Sequence, residues 1–127
     1  MLIKSESRYP VSRKVIKETV ERVLGEKKIK RDIEVSVNIA GDRLMKSLNK
    51  KYRNLDETTD VLSFSLSEAL ENSQFVDAPD NILRLGDIIV SYPQAVVEAS
   101  DEEKLVDQKI GELVEHGLLH LLGYHHE

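Results

Sequence analysis

The chain has 127 residues, 40% hydrophobic and 32% charged, the balance of one folded domain with no room for a second core. It has no cysteine, which excludes disulfide scaffolds, thiolate catalysis and every Cys-ligated zinc or iron–sulfur site. The net charge of −5 hides a split: residues 1–55 hold 15 Lys/Arg against 7 Asp/Glu, and residues 56–127 hold 3 against 16, an asymmetry that permits a phosphate-bearing partner.

At the N-terminus, charges stand where a signal peptide needs an apolar run, and residues 2–5 read as a short strand instead. Pro10 suits the first turn of a helix whose stripe is Val11, Val15, Val20, Val23 and Leu24, ending at Gly25. The basic residues Lys27, Lys28, Lys30 and Arg31 follow. Ile33, Val35, Val37 and Ile39 then alternate with polar residues, the period of a half-buried strand. After Gly41, Asp42 is suited to cap a second helix running to about Arg53 and buried through Leu44, Met45, Leu48 and Tyr52. A second basic cluster, Lys46, Lys50, Lys51 and Arg53, falls in the same segment. Residues 54–59 form a polar loop, 61–66 a strand, and 67–81 a long loop containing Pro79. Residues 82–85 and 87–90 look like strand sequence on either side of Gly86. A helix begins at 93–99, and Ser100-Asp101-Glu102-Glu103 has the acidic composition of a fresh helix start. From there Leu105, Val106, Ile110, Leu113, Val114, Leu118, Leu121 and Leu122 mark one long helix to about Leu122. No apolar stretch is long enough to span a bilayer, so a cytoplasmic protein with no membrane partner is expected. Interleaved helices and strands predict one α/β domain over 1–127, α+β-like, with a small mixed sheet packed by helices.

All four histidines lie near the C-terminus: His116, His120, His125 and His126. His116 and His120 are four apart in the last helix, so both rings leave the same face one turn apart, close enough to share a metal ion. Gly123 can end the helix in the left-handed conformation and let the chain reverse, bringing His126 back as third ligand. This is the spacing of the three-histidine zinc site of metzincin proteases, but Gly117 stands where those enzymes carry their glutamate base. Three neutral histidines leave a tetrahedral ion one open position, the mark of a catalytic centre. Imidazole ligation makes Zn2+ the first choice, with Ni2+ or another divalent ion compatible.

The string from His116 to His126, His-Gly-Leu-Leu-His-Leu-Leu-Gly-Tyr-His-His, resembles the signature of the YbeY family of single-strand endoribonucleases and rRNA maturation factors. It differs only at His125, where the family has aspartate. Two further blocks agree, in the family's order: Tyr52-Arg53 followed by Thr59-Asp60-Val61-Leu62-Ser63-Phe64, and Gly86-Asp87-Ile88. The likeness runs from about residue 33 onward. It implies an α/β fold with a small mixed sheet, zinc on His116, His120 and His126, and hydrolysis of single-stranded RNA. The implied work is 3′-end maturation of small-subunit rRNA and ribosome quality control, with the small subunit or its assembly factors as partners and no DNA. Arg53 falls on the family's functional arginine, a planar fork able to grip a phosphate bidentately; His116 and Arg53 are accordingly the expected catalytic pair. The third ligand stands one residue from Glu127, where a fraying end is expected to retain metal less well than in longer relatives, and His125 could compete for it. Asp60, Asp87 and Glu112 are candidates to receive the second ring N–H of a ligand histidine, and Tyr124 is expected to pack the turn. Two other functions compete: a zinc peptidase, opposed by Gly117, and a non-catalytic ribosome-assembly protein in which metal clips the C-terminus.

Overall fold

The computed structural model describes residues 2–5, 9–30, 32–65 and 82–126, the first four and last three by backbone alone. The loop expected over 67–81 lies outside them. Strand β1 (Leu2–Ser5) leads to helix α1 (Arg13–Glu26), strand β2 (Ile33–Ala40) and helix α2 (Asp42–Arg53). Strands β3 (Val61–Ser65) and β4 (Leu83–Ser91) follow, then helices α3 (Tyr92–Asp101) and α4 (Val106–His126). The four strands form one mixed sheet in the order β1-β2-β4-β3, in which β1 and β4 flank β2 in parallel and β3 runs antiparallel on the outer edge. The expected α/β class with a mixed sheet is what is observed.

The alternation along β2 sets the layering. Val35, Val37 and Ile39 face α1 and α4, whose Ile16, Val20, Val23, Ile110, Val114, Leu118 and Leu121 complete the main core. Ala40, Leu62 and Ile89 point to the other side, where Met45 of α2 covers them. The helices thus occupy both faces, and the sheet's edge strand β3 lies beside α4. Among the described residues, no helix is long and apolar enough to cross a membrane.

Several local expectations are corrected. Helix α1 begins after Ser12, whose hydroxyl accepts from the Val15 amide, so Pro10 precedes the helix. In α2, Leu44 and Tyr52 are 45% and 52% exposed, whereas Asn49 is buried. A helix laid over only the end of a small sheet buries a narrow strip, here Met45 and Asn49, and leaves its flanks in water. Strand β4 is continuous through Gly86. That glycine has φ 137° and sits at a register shift opposite Glu34 and Val35, so a backbone conformation closed to most side chains absorbs one extra residue as a bulge. The acidic run at 100–103 closes α3: the Lys104 amide bonds the Ala99 carbonyl and Glu103 adopts φ 56°, after which α4 starts at Val106. Leu105, counted in the apolar stripe, is 77% exposed because it lies in that turn.

Asp42 does not cap α2. Gly41 takes that position without a side-chain bond, and Asp42 begins the helix. Its Oδ1 instead accepts from Thr58 Oγ at 3.0 Å, Ser91 Oγ at 2.9 Å and Gln94 Nε2 at 3.3 Å. One carboxylate thereby joins α2, the approach to β3, the end of β4 and the start of α3. The buried Ser91 hydroxyl loses its acceptor if Asp42 is removed, and bonds to a charged group are individually strong. Asp42→Ala is expected to cost about 1–3 kcal/mol, read from the urea midpoint.

A candidate active site between α2, β3 and α4

The end of α2 fixes the first wall of a cleft. Asn54 caps the helix in the left-handed region, and the Asn54 and Leu55 amides both bond the Asn49 carbonyl. The buried Asn49 side chain donates to the Glu57 carbonyl at 2.9 Å, so the loop returns tightly towards β3. This leaves Arg53, the last helical residue, facing the edge strand. Its Nη2 donates to the Ser63 carbonyl at 3.0 Å, and its guanidinium lies 4.9 Å from the Phe64 ring centroid. A cation stacked on a ring and tied to a backbone carbonyl is held in a defined orientation.

The second wall is α4. Its buried residues, Ile110, Leu113, Val114, Leu118 and Leu121, lie on the core side and leave His116 and His120 exposed on the other. Gly117 lies between them and is buried against β4. A Cβ built there would stand 2.9 Å from the Cγ2 methyl of Ile88, a fully buried, β-branched side chain whose methyl has little freedom to swing aside. The glycine therefore lets the helix approach the sheet closely at the turn that carries both histidines. A methyl group at 117 would gain about 1 kcal/mol in helix propensity but force an overpacked contact costing roughly 1–3 kcal/mol. Gly117→Ala is expected to destabilise the fold by about 1 kcal/mol net. Combining it with Ile88→Ala should cost less than the two single losses added.

Arg53, Thr59, Asp60, Val61, Leu62, Ser63, His116, Gly117 and His120 line this cleft, which has a volume of about 500 Å³. Three of the residues expected to act together, Arg53, His116 and His120, are thus brought into one space from two distant segments. Asp60 also lines it, as expected of a partner for a ligand histidine. A neighbouring pocket of about 300 Å³ shares Asp60, Val61 and His116 and adds Glu98, Lys109, Glu112 and Leu113. Glu112 is committed to Lys104 at 2.7 Å. Asp87 is an exposed residue opposite Phe64 in the sheet and is not among the described residues lining either space.

Glu98 and Lys109 are the site neighbours that sequence reasoning missed. Burial, and then the facing Asp60 carboxyl, push the Glu98 carboxyl above the usual carboxylate range, although Lys109 Nζ lies 3.5 Å away and acts in the opposite direction. Lys109 bonds Glu102 at 2.8 Å, which raises its own pKa. Glu98 lies on α3 and Lys109 on α4, and no local spacing connects either to Asp60.

The third expected ligand falls on the least described part. Helix α4 does not end at Gly123 but continues to His126, and Gly123 lacks the positive φ that a chain reversal would use. Glycine remains free to take right-handed helical angles at a cost near 1 kcal/mol, so its presence permits a stop without enforcing one. The side chains of Tyr124, His125 and His126 lie outside the described residues, as do any contacts they make. On the described side chains the donors suited to a divalent ion are two imidazoles one turn apart that line the cleft; among the described residues no group of three His, Asp or Glu side chains stands together to hold one, so a further ligand has to come from outside them.

The profile of the family described as endoribonuclease YbeY matches residues 3–127. The chain belongs to that family. It is 40% identical over 133 aligned positions to an endoribonuclease YbeY of Dehalococcoides mccartyi, an alignment covering all of this chain and 77% of the relative. The YbeY of Moorella thermoacetica is 37% identical, with 94% of this chain and 78% of the relative covered. Among solved structures, a solution structure of a Thermotoga maritima protein matches with TM-score 0.60 at 28% identity, covering 99% of this chain and 74% of that one. The YbeY assignment thus rests on nearly the whole chain, and the resemblance seen in the His116–His126, Tyr52–Phe64 and Gly86–Ile88 blocks is part of a family relationship that begins near the N-terminus.

Proposed function

We propose that this YbeY-family chain is a metal-dependent endoribonuclease that hydrolyses single-stranded RNA, with the 3′ end of small-subunit rRNA as its substrate in rRNA processing and ribosome quality control. The observation that carries the reading is the shared cleft of His116, His120 and Arg53. His116 and His120 would hold the ion, Zn2+ by preference for imidazole ligands, and His126 would be the third ligand, which requires the last turn of α4 to open at Gly123. When bound, the ion supplies Lewis acidity and lowers the pKa of water.

The chain's own residues supply the rest. Arg53 grips the scissile phosphate and offsets the charge that grows on its oxygens during cleavage, held in place by the Ser63 carbonyl and the Phe64 ring. Asp60 orients the His116 ring by accepting its second N–H. The basic α2 beside this cleft gives an RNA strand a path to it, and the small ribosomal subunit and its assembly factors in the cytoplasm are the partners.

Position 117 weighs against a peptidase. A glutamate base directly after the first histidine would have to displace buried Ile88, so the residue that makes a metzincin a protease has no space in this fold. A substrate panel tests the assignment: end-labelled single-stranded RNA, the same RNA annealed to its complement, the DNA of the same sequence, and unfolded casein. Cutting of the single-stranded RNA alone is expected. Cutting of casein, or of duplex and single strand equally, would overturn it.

A further inference from the structure

Tyr52 is an aromatic residue that α2 leaves half in water, next to the residue that enters the cleft. The residue is 52% exposed and its ring meets Phe64 edge-on, with centroids 5.1 Å apart. Phe64 in turn carries the Arg53 guanidinium at 4.9 Å, and Arg53 reaches the Ser63 carbonyl on the cleft wall. Lys51 Nζ lies 5.1 Å from the Tyr52 ring centroid. Tyr52, Phe64 and Arg53 therefore form a continuous tier from open solvent to the cleft, with cations at both ends.

We propose that Tyr52 is a stacking platform for a nucleobase of single-stranded RNA, one nucleotide or so away from the phosphate held by Arg53. The inference rests on the ribonuclease reading and adds a base subsite to it. Phe64 braces the half-exposed ring edge-on and the flexible Lys51 side chain lies over it, so a base stacks on Tyr52 by taking the place of Lys51, and every base has a face to offer, so stacking adds affinity without demanding a sequence. The flanking charges favour a polyanion over an apolar protein surface: Lys50, Lys51 and Arg53 crowd the last turn of α2, and no acidic residue stands among them. A paired strand keeps its bases stacked inside the helix and cannot offer one to Tyr52, so the platform also selects single strands.

The test uses metal-loaded protein and a short 2′-O-methyl oligoadenylate, recovered intact after each titration, beside an abasic backbone of equal length and charge. Tyr52→Ala is expected to weaken oligoadenylate binding by roughly 5- to 100-fold, leaving the salt slope and the weaker binding of the abasic strand unchanged. Tyr52→Phe should bind as the parent does. Since the chain has no tryptophan, Tyr52→Trp places a single indole at the site, and its emission should be quenched by oligoadenylate but not by the abasic strand. Parent-like binding by Tyr52→Ala, or an indole indifferent to oligoadenylate, overturns the platform while leaving the ribonuclease reading intact. Failure of the parent protein to bind any single strand overturns both.

Discussion

Protein carrying His116→Ala is expected to fold as the parent does, lose its bound metal and stop cutting RNA. The first outcome follows from exposure: His116 lies on the cleft side of α4, away from the buried Leu113, Val114 and Leu118, so its removal should change stability by no more than about 0.5 kcal/mol. The loss of metal follows from the donor count. With two imidazoles offered by one helical turn, removing either leaves too few donors to hold an ion against buffer. The effect should exceed the roughly 10–100-fold that losing a mere supporting hydrogen bond to a ligand costs. His120→Ala should behave alike. Metal content after gel filtration, set against the thermal midpoint, separates this outcome from simple unfolding.

Arg53→Ala is expected to lower kcat by about 10²–10³ while metal content stays at the parent level. Arg53 touches the cleft from α2 and β3, whereas the histidines stand on α4, so the two substitutions should separate metal binding from charge stabilisation. Arg53→Lys should recover little. A lysine keeps the charge but lacks the planar fork that meets both Ser63 and a phosphate, and it stacks less well on Phe64. A pure loss of ground-state binding would raise KM and spare kcat; the proposed role requires kcat to fall.

What the sequence disclosed and what it withheld divide along physical lines. Strand β2 was legible because one face is buried and the other is not, so Val35, Val37 and Ile39 alternate with polar neighbours. The pairing of His116 with His120 was legible because four residues make about one helical turn. The exposure of Tyr52 is not legible, because helical periodicity gives the apolar flank but not how much sheet lies beneath it. The strand sequence around Gly86 is legible but its bulge is not, because the extra residue shows only against the partner strand, and the run at 100–103 misleads because an acidic segment can end a helix through a left-handed residue as well as start one. Asp42, Glu98 and Lys109 act across elements far apart in the chain, and no local pattern announces that. Arg53 was found through the family motif; alone, it would have passed for a helix-end arginine.

The central claim is that α4 holds a metal beside Arg53 and that this assembly cuts RNA. The most direct measurement is cleavage of an end-labelled single-stranded RNA by parent and His116→Ala protein, purified identically, before and after chelation and after restoring Zn2+. The account predicts cutting by the parent that chelator abolishes and zinc restores, with none from the variant under any condition. Equal cutting by both proteins, or cutting by the parent that survives complete removal of metal, would contradict it.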